Sequence, residues 1–242
     1  MYTTLKKIAK RVFSEKVLAQ NEVFLRKMIA LKYAGNNYKC NICNYNLKHF
    51  VALENQDLLC PSCGSLARTR KLYQILNDLK PTEKVLHFSP SKSLSSKLKS
   101  NNTIDYYDSD FVGEFDANYH FDITAISKSD NYFNYIICFH VLEHIEDDIE
   151  AMKELYRVLK PNGLCLIQTP FKTGDIYENK NITSEDEREK AFGQKDHVRI
   201  YSPQGLKDRL SSVGFAVEIK NLETTENNLN GLKKETILFA KK

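Results

Sequence analysis

Residues 133–171 read as a strand, a helix and a second strand. "FNYIICFHV" is a nearly continuous apolar run, rich in β-branched and aromatic residues, of the kind buried on both faces of a sheet. Asp147 and Asp148 then open a helix carrying Ile149, Met152, Leu155, Tyr156 and Leu159, which "KPNG" stops. "GLCLIQTP" follows as the next strand. Two buried strands joined through a helix run parallel, so this block commits the chain to a sheet covered by helices.

The same alternation extends both ways. A strand is expected over 85–88, a helix over 91–99 and a strand over 103–107. Further on, "SPQGLKDRLSSVG" is a helix with Ser202 as cap and Pro203 at its first position, followed by the strands "FAVEIKNL" and "ETILFAKK". In such folds ligands bind beyond the carboxyl ends of the strands. Residues 1 to about 34 are expected to be helical, with Leu5, Ile8, Val12 and Phe13 on one stripe and Lys6, Lys7, Lys10 and Arg11 largely off it. That basic amphipathic pattern allows peripheral contact with a membrane surface, although packing on the protein itself is the plainer reading. "SLARTRKLYQILNDLK" is a helix closed by Pro81. The expected organisation is a helical segment over 1–35, a cysteine-punctuated module over 36–66, a linker helix over 67–80 and an α/β domain over 81–242.

Four of the six cysteines, Cys40, Cys43, Cys60 and Cys63, form C-x2-C-x16-C-x2-C. Each pair curls around one metal because two intervening residues put both sulfurs on the same side of a tight turn, and the longer spacing lets the pairs converge. Four thiolates leave zinc no open position, so the pattern predicts a structural zinc ribbon. Pro61 and Gly64 support a knuckle-like turn, and Cys138 and Cys165 lie inside apolar strands as core residues. The start of the chain has no secretory pattern and no eighteen apolar residues run together, which is the basis for expecting a cytoplasmic protein. A net charge of +4 permits an anionic partner without demanding one.

"VLHFSPSKSL", "DITAI", "YIICFHVLEHIEDDIEAMKELYRVLKPNGLCLIQTP" and "FGQKDHVRIYSPQGLKDRLSSVGF" together resemble class I S-adenosylmethionine-dependent methyltransferases of the type 11 kind, over about residues 80 to 242. The ribbon resembles that of a bacterial subgroup of these enzymes. The resemblance implies a Rossmann-like methyltransferase fold: a seven-stranded, mainly parallel sheet with a final antiparallel strand and helices on both faces, holding S-adenosylmethionine over its carboxyl edge. Most relatives carry a glycine-rich first loop, whereas His87 to Leu94 contains no glycine. Ser89 as N-cap with Pro90 in the first helical turn would aim the positive end of the next helix at the same place.

His87, Phe88, Ser89 and Pro90 are therefore the expected first cofactor loop. For the ribose hydroxyls "DYYDSDF" offers Asp110 by resemblance, with Asp108 as fallback. Asp122 resembles the position that accepts from the adenine amino group, with Ile123 beside the base, although Asp122 equally suits a turn cap. His140, ending the fourth strand, should face cofactor and methyl group. Candidate bases for the methyl acceptor are His140, Glu143 and His144 in "HVLEH" and His197 in "KDHVRIY". His197 ends a charged insertion placed to act as a lid.

The expected activity is methyl transfer to oxygen or nitrogen of a small-molecule or glycan acceptor, with zinc structural. Two alternatives stand beside it. One is an RNA methyltransferase whose ribbon and basic flank, with Arg68, Arg70 and Lys71, grip phosphates, and the other is a non-catalytic protein binding partners through its ribbon.

Overall fold

The computed structural model describes residues 21–113, 117–224 and 227–242. The expected stripe of Leu5, Ile8, Val12 and Phe13 lies outside the described residues. No helix among them is long and apolar enough to cross a membrane. The chain divides into two compact units. One contains the described residues before Lys80 together with Glu223–Lys234, and the other contains Lys80–Leu222 and Glu235–Lys242.

In the first unit, helix α1 (Glu22–Ala30) and a 3-10 turn lead into β1 (Ala34–Lys39), which pairs antiparallel with β2 (Asn46–Leu47). A second small ladder joins β3 (Val51–Ala52) to β4 (Leu58–Leu59), and α2 (Ala67–Leu79) follows. Tyr33, Ile42, Leu47, Phe50, Val51 and Leu59 form a small core with the cysteines. The returning segment completes it: Lys39 N donates to Leu229 O at 2.9 Å, and Asn230 Nδ2 donates to Lys39 O at 2.7 Å.

Arg70 on α2 is fully buried and binds this unit together. It donates to Ser65 O (2.6 Å), Leu58 O (3.0 Å), Asn230 O (2.7 Å) and Gly231 O (2.6 Å), with its guanidinium 4.0 Å above the Phe50 ring. A planar fork of five donors suits such convergent carbonyls. Gly231 sits at φ +56, and a Cβ there would lie 2.4 Å from the Phe50 ring. Lys71 is also buried and donates to Glu223 O at 2.9 Å. Of the basic cluster expected to grip phosphates, Arg70 and Lys71 are thus withdrawn into the protein.

The second unit is a six-stranded sheet in the order β11-β12-β8-β7-β5-β6. Its strands are β5 (Glu83–Phe88), β6 (Ile104–Ser109), β7 (Phe133–Phe139), β8 (Leu159–Gln168), β11 (Ala216–Leu222) and β12 (Glu235–Lys241). Within this sheet β12 alone runs opposite to the other five strands, as expected of the final strand. The strand count is six and not seven. Between β6 and β7 the described residues contribute only a bridge, Ser109 to Tyr119. That segment turns its backbone groups inward, with Asp110 N to Tyr119 O and Ala125 N to Asp122 O both at 3.0 Å. It docks on β6 by rings instead, Tyr119 lying against Tyr107 with centroids 5.1 Å apart.

Helices cover both faces. On one, α4 (Asp148–Val158) and α6 (Pro203–Ser212) bury Met152, Leu155, Leu206 and Leu210 against Leu86, Phe88, Ile136 and Cys138. On the other, α3 (Lys92–Lys99) covers β6, with Lys99 Nζ 2.6 Å from the fully buried Asp108 and Ser95 Oγ 3.3 Å from it. Asp147 caps α4 through Glu150 N, and Ser202 caps α6 through Gly205 N at 3.1 Å with Pro203 at the start, as the sequence indicates. Burial pushes the Cys138 and Cys165 thiols up, which fits their place in the core.

His87 also lies under α3, its Nδ1 2.9 Å from the Tyr106 hydroxyl, and burial pushes its pKa down to about 3. The unfolded imidazole titrates near 6.5, so between these values the folded state binds fewer protons. Stability should therefore fall as pH drops through that window, by about 1.4 kcal/mol per unit while the difference is fully expressed. Thermal melting at about pH 7 and about pH 5 checks this: the drop should be smaller in His87→Gln than in the wild type, and equal drops would contradict it.

Candidate functional site

The two cysteine knuckles are built alike. Asn44 N donates to Cys40 O at 2.8 Å and Gly64 N to Cys60 O at 2.9 Å, while Cys40 N and Cys60 N donate to Tyr45 O and Ser65 O. Each turn is closed by a residue in the left-handed region just after its second cysteine, Asn44 at φ +60 and Gly64 at φ +78. The result is convergence of four sulfurs, all within 4.8 Å of one another. Cys40 Sγ lies 3.7 Å from Cys63 Sγ, and Cys43 Sγ lies 3.8 Å from Cys60 Sγ. Sulfurs placed tetrahedrally on bonds of about 2.3 Å stand about 3.8 Å apart, so the cluster is compatible with zinc.

In the second unit a cleft of about 450 Å³ opens beyond the carboxyl ends of β5, β6 and β7. Phe88, Ser89, Asp110, Asp122, Ile123, His140 and His144, all singled out from the sequence, line it. The structure does not bring His87, Pro90 or His197 to its wall. His87 points away because successive strand residues face opposite sides of a sheet, so His87 and Phe88 cannot both present side chains to one cleft. Asp108 is likewise turned under α3.

The first loop differs from its expected form. Helix α3 is capped by Ser91, two residues later than expected, and the Ser91 hydroxyl makes no capping bond. Ser89 instead sits at φ +46, its N donating to Ser109 O at 2.8 Å and its Oγ to Asp110 Oδ1 at 2.9 Å. A left-handed serine does the reversal that glycine would otherwise make. The neighbouring strand β7 ends the same way: His140 sits at φ +55 with its N donating to Gln168 O at 2.8 Å.

Asp110 is buried at the end of β6. Beside it the exposed Phe111 and Val112, with Phe121 and Ile123, make the cleft wall apolar. Phe111 and Val112 escaped sequence reasoning; their only signal is that two apolar residues directly follow the acidic strand end. Asp122 accepts from Thr124 N at 2.8 Å and Thr124 Oγ1 at 2.7 Å, so it caps its own turn while lining the cleft.

At the far end of the wall the 3-10 turn Leu142–His144 brings Glu143 and His144 together with His197. Val198 N donates to Glu143 O at 2.9 Å, and the His144 and His197 rings meet edge to face at 4.7 Å. Buried Arg199 fixes this turn by donating to the carbonyls of Leu142, Ile145 and Glu146, and it also reaches Glu178 at 2.9 Å. Tyr201 and Arg209 each reach Asp148 Oδ2 at 2.5 Å, tying the same stretch to the head of α4. The charged insertion expected as a lid is ordered, with the two-residue strands β9 (Tyr177–Glu178) and β10 (Arg199–Ile200) and helix α5 (Glu185–Phe192) between them. Ser184 and Glu187 form a capping box for that helix. Burial, then the adjacent His144, holds the His197 imidazole below its ordinary pKa, favouring its neutral form. Asp196, which lines the cleft and lies 2.9 Å from His144 Nδ1, was also not singled out.

Comparison with known proteins bears on the fold and the family. No curated protein matches the chain. A SAM-dependent methyltransferase from Archaeoglobus fulgidus, 18% identical, aligns over 72% of this chain and 92% of its own with a TM-score of 0.52. The Burkholderia thailandensis 1,6-didemethyltoxoflavin-N1-methyltransferase, solved with 1,6-didemethyltoxoflavin and S-adenosylhomocysteine, is 13% identical over 72% and 77% at a TM-score of 0.50. The [4+2]-cyclase SpnF aligns over 81% and 87% at 13% identity and a TM-score of 0.52. At these identities the structures establish a shared fold. The family described as "Methyltransferase domain" matches residues 68–219, more than half of the sequence, and the chain belongs to that methyltransferase family.

Proposed function

We propose that this protein transfers a methyl group from S-adenosylmethionine to an oxygen or nitrogen of a small-molecule or glycan acceptor. The observation that carries the reading is the buried carboxylate of Asp110 at the end of the edge strand β6, beside an apolar wall and next to β5, which like β7 leaves the sheet through a left-handed residue. A carboxylate next to an apolar slot suits a ribose with a flat base attached. Asp110 would accept from the ribose hydroxyls, with Phe88, Phe111, Val112, Phe121 and Ile123 enclosing the base, and Asp122 at its edge. Ser89 would hold Asp110 in place through its hydroxyl and help shape the turn for the amino-acid end. The bound sulfonium supplies an already activated methyl carbon, so the protein's share is chiefly alignment, for which about 7 to 11 kcal/mol is available.

His140, His144 and His197 are proposed to serve the acceptor at the opposite end of the cleft from the base wall. His140 and His144 are on the wall itself; His197 acts from behind His144. The four cysteines are proposed to hold one zinc ion in a structural role, since four thiolates leave no open position on it.

The 1,6-didemethyltoxoflavin enzyme, with a small acceptor bound, supports this class of substrate by fold alone. The burial of Arg70 and Lys71 weighs against phosphate gripping by that cluster.

Titration calorimetry with S-adenosylhomocysteine should give one site per chain, weakened about ten- to a hundredfold by Asp110→Ala with the fold intact; no heat with folded wild-type protein would reject the enzyme reading. With labelled methyl donor and a fractionated cell extract, His197→Ala should lower turnover while leaving S-adenosylhomocysteine affinity nearly unchanged. Unaltered turnover would remove His197 from the site. Protein purified without chelator should contain one zinc per four-cysteine cluster, and a content near zero with four titratable thiols would dismiss the ribbon metal.

A further inference from the structure

Glu143 is 1% exposed, yet neither of its carboxylate oxygens has a hydrogen-bond partner. His140 Nδ1 stands 3.3 Å from Oε1, close enough for ion pairing but not aligned as a hydrogen bond, and His140 Nε2 is itself buried and unpartnered. A carboxylate taken out of water without partners is strongly disfavoured, so a cluster of orphaned acceptors calls for a cation. The donor set for one is present: ligating atoms of Glu143, His144 and His197 all lie within 4.8 Å of one another.

The surroundings are those of a metal site. His144 Nδ1 is engaged by Asp196 at 2.9 Å, which leaves Nε2 as the nitrogen available to a metal. Such a second partner on an imidazole fixes its orientation, as a ligating histidine requires. Arg199 and the Val198 to Glu143 bond hold the two chain segments in place. Bonds of about 2.0–2.2 Å bring ligands to roughly 3.0–3.5 Å apart, so loading asks for a closing of about 1–2 Å, within rotamer adjustment.

We infer that Glu143, His144 and His197 bind a first-row divalent metal ion just behind the cleft wall at His144, and that the acceptor is one whose oxygen completes its coordination. Two imidazoles with one carboxylate favour manganese, iron, cobalt or zinc over magnesium and calcium, and three protein ligands leave positions open. The site stands on its own geometry, whereas its use in catalysis rests on the methyltransferase reading. In that use an acceptor hydroxyl on the metal gives its proton to water. Its oxygen then bonds the methyl carbon as the carbon–sulfur bond breaks, and the electron pair leaves with the sulfur of S-adenosylhomocysteine. His140, beside Glu143, is a positioning residue for that carboxylate.

The test uses full-length protein with zinc at its cysteines, titrated with Mn2+ and followed by paramagnetic resonance of the free ion. One equivalent should bind, with affinity lowered about ten- to a hundredfold in Glu143→Gln and His197→Ala. No binding of Mn2+, Co2+ or additional Zn2+ at millimolar metal overturns the site, as does equal binding by folded variants. If the variants do not fold, wild-type protein decides: Mn2+ should broaden the ring-proton signals of His144 and His197, and sharp signals overturn the assignment. Calorimetry with S-adenosylhomocysteine on the same samples separates the two claims. Nucleoside binding without metal removes this inference alone; metal without nucleoside keeps the site and removes its role in methyl transfer. A labelled product methylated on nitrogen or carbon overturns the choice of an oxygen acceptor.

Discussion

Everything at the cleft depends on how the chain leaves two adjacent parallel strands. Strands β5 and β7 both end in a residue with a Cβ held at positive φ, Ser89 and His140, a conformation that costs on the order of 1–3 kcal/mol each and persists only where its surroundings enforce it. In both cases the enforcement is a backbone bond to the neighbouring strand end, to Ser109 O and to Gln168 O, together with a side chain directed at a carboxylate. The reversal sends the chain away from the sheet edge at once, and the space it vacates is the cleft. Glycine would make the same turn at lower cost, but it would carry neither the hydroxyl that meets Asp110 nor the imidazole that meets Glu143.

The cysteine cluster poses the opposite electrostatic problem. Four thiolates around one dication carry a net charge of about −2, and the fully buried Arg70 sits one residue's reach away: its Nη1 bonds Ser65 O while the Ser65 hydroxyl contacts Cys40 Sγ. The same guanidinium holds four carbonyls from three stretches of chain. A charge that looked in the sequence like a phosphate grip is used internally, for cohesion.

What could be read from the sequence was local. Cysteine spacing, the buried runs of β7 and β8 and the Asp147 and Ser202 caps all follow from residues near one another in the chain, whereas the antiparallel last strand was implied by the family resemblance. Strand parity, available in the sequence, separates His87 from Phe88, since neighbours on a strand face opposite ways. The position of the α3 cap was not legible, because serines stand at both 89 and 91 and only the strand pairing that demands a reversal at 89 decides between them. The seventh strand failed for a related reason: Phe121, Ile123 and Ile126 are buried like strand residues, but the backbone between them is spent on turns. Glu143 beside His197 could not be foreseen at all, because it depends on Arg199 drawing together stretches more than fifty residues apart.

The cysteine unit is assembled from two distant pieces, since its core needs Leu229, Asn230 and Gly231 from between the last two strands. Arg70 meets its partner at Gly231 across 161 positions of sequence. On a ribosome the module translated earlier must therefore wait, incomplete, until nearly the whole sheet has been synthesised, and its closure is tied to the late arrival of a hairpin loop. A deletion that removes either portion strips hydrogen-bond partners from the other, so the cysteine unit closes only when both are present.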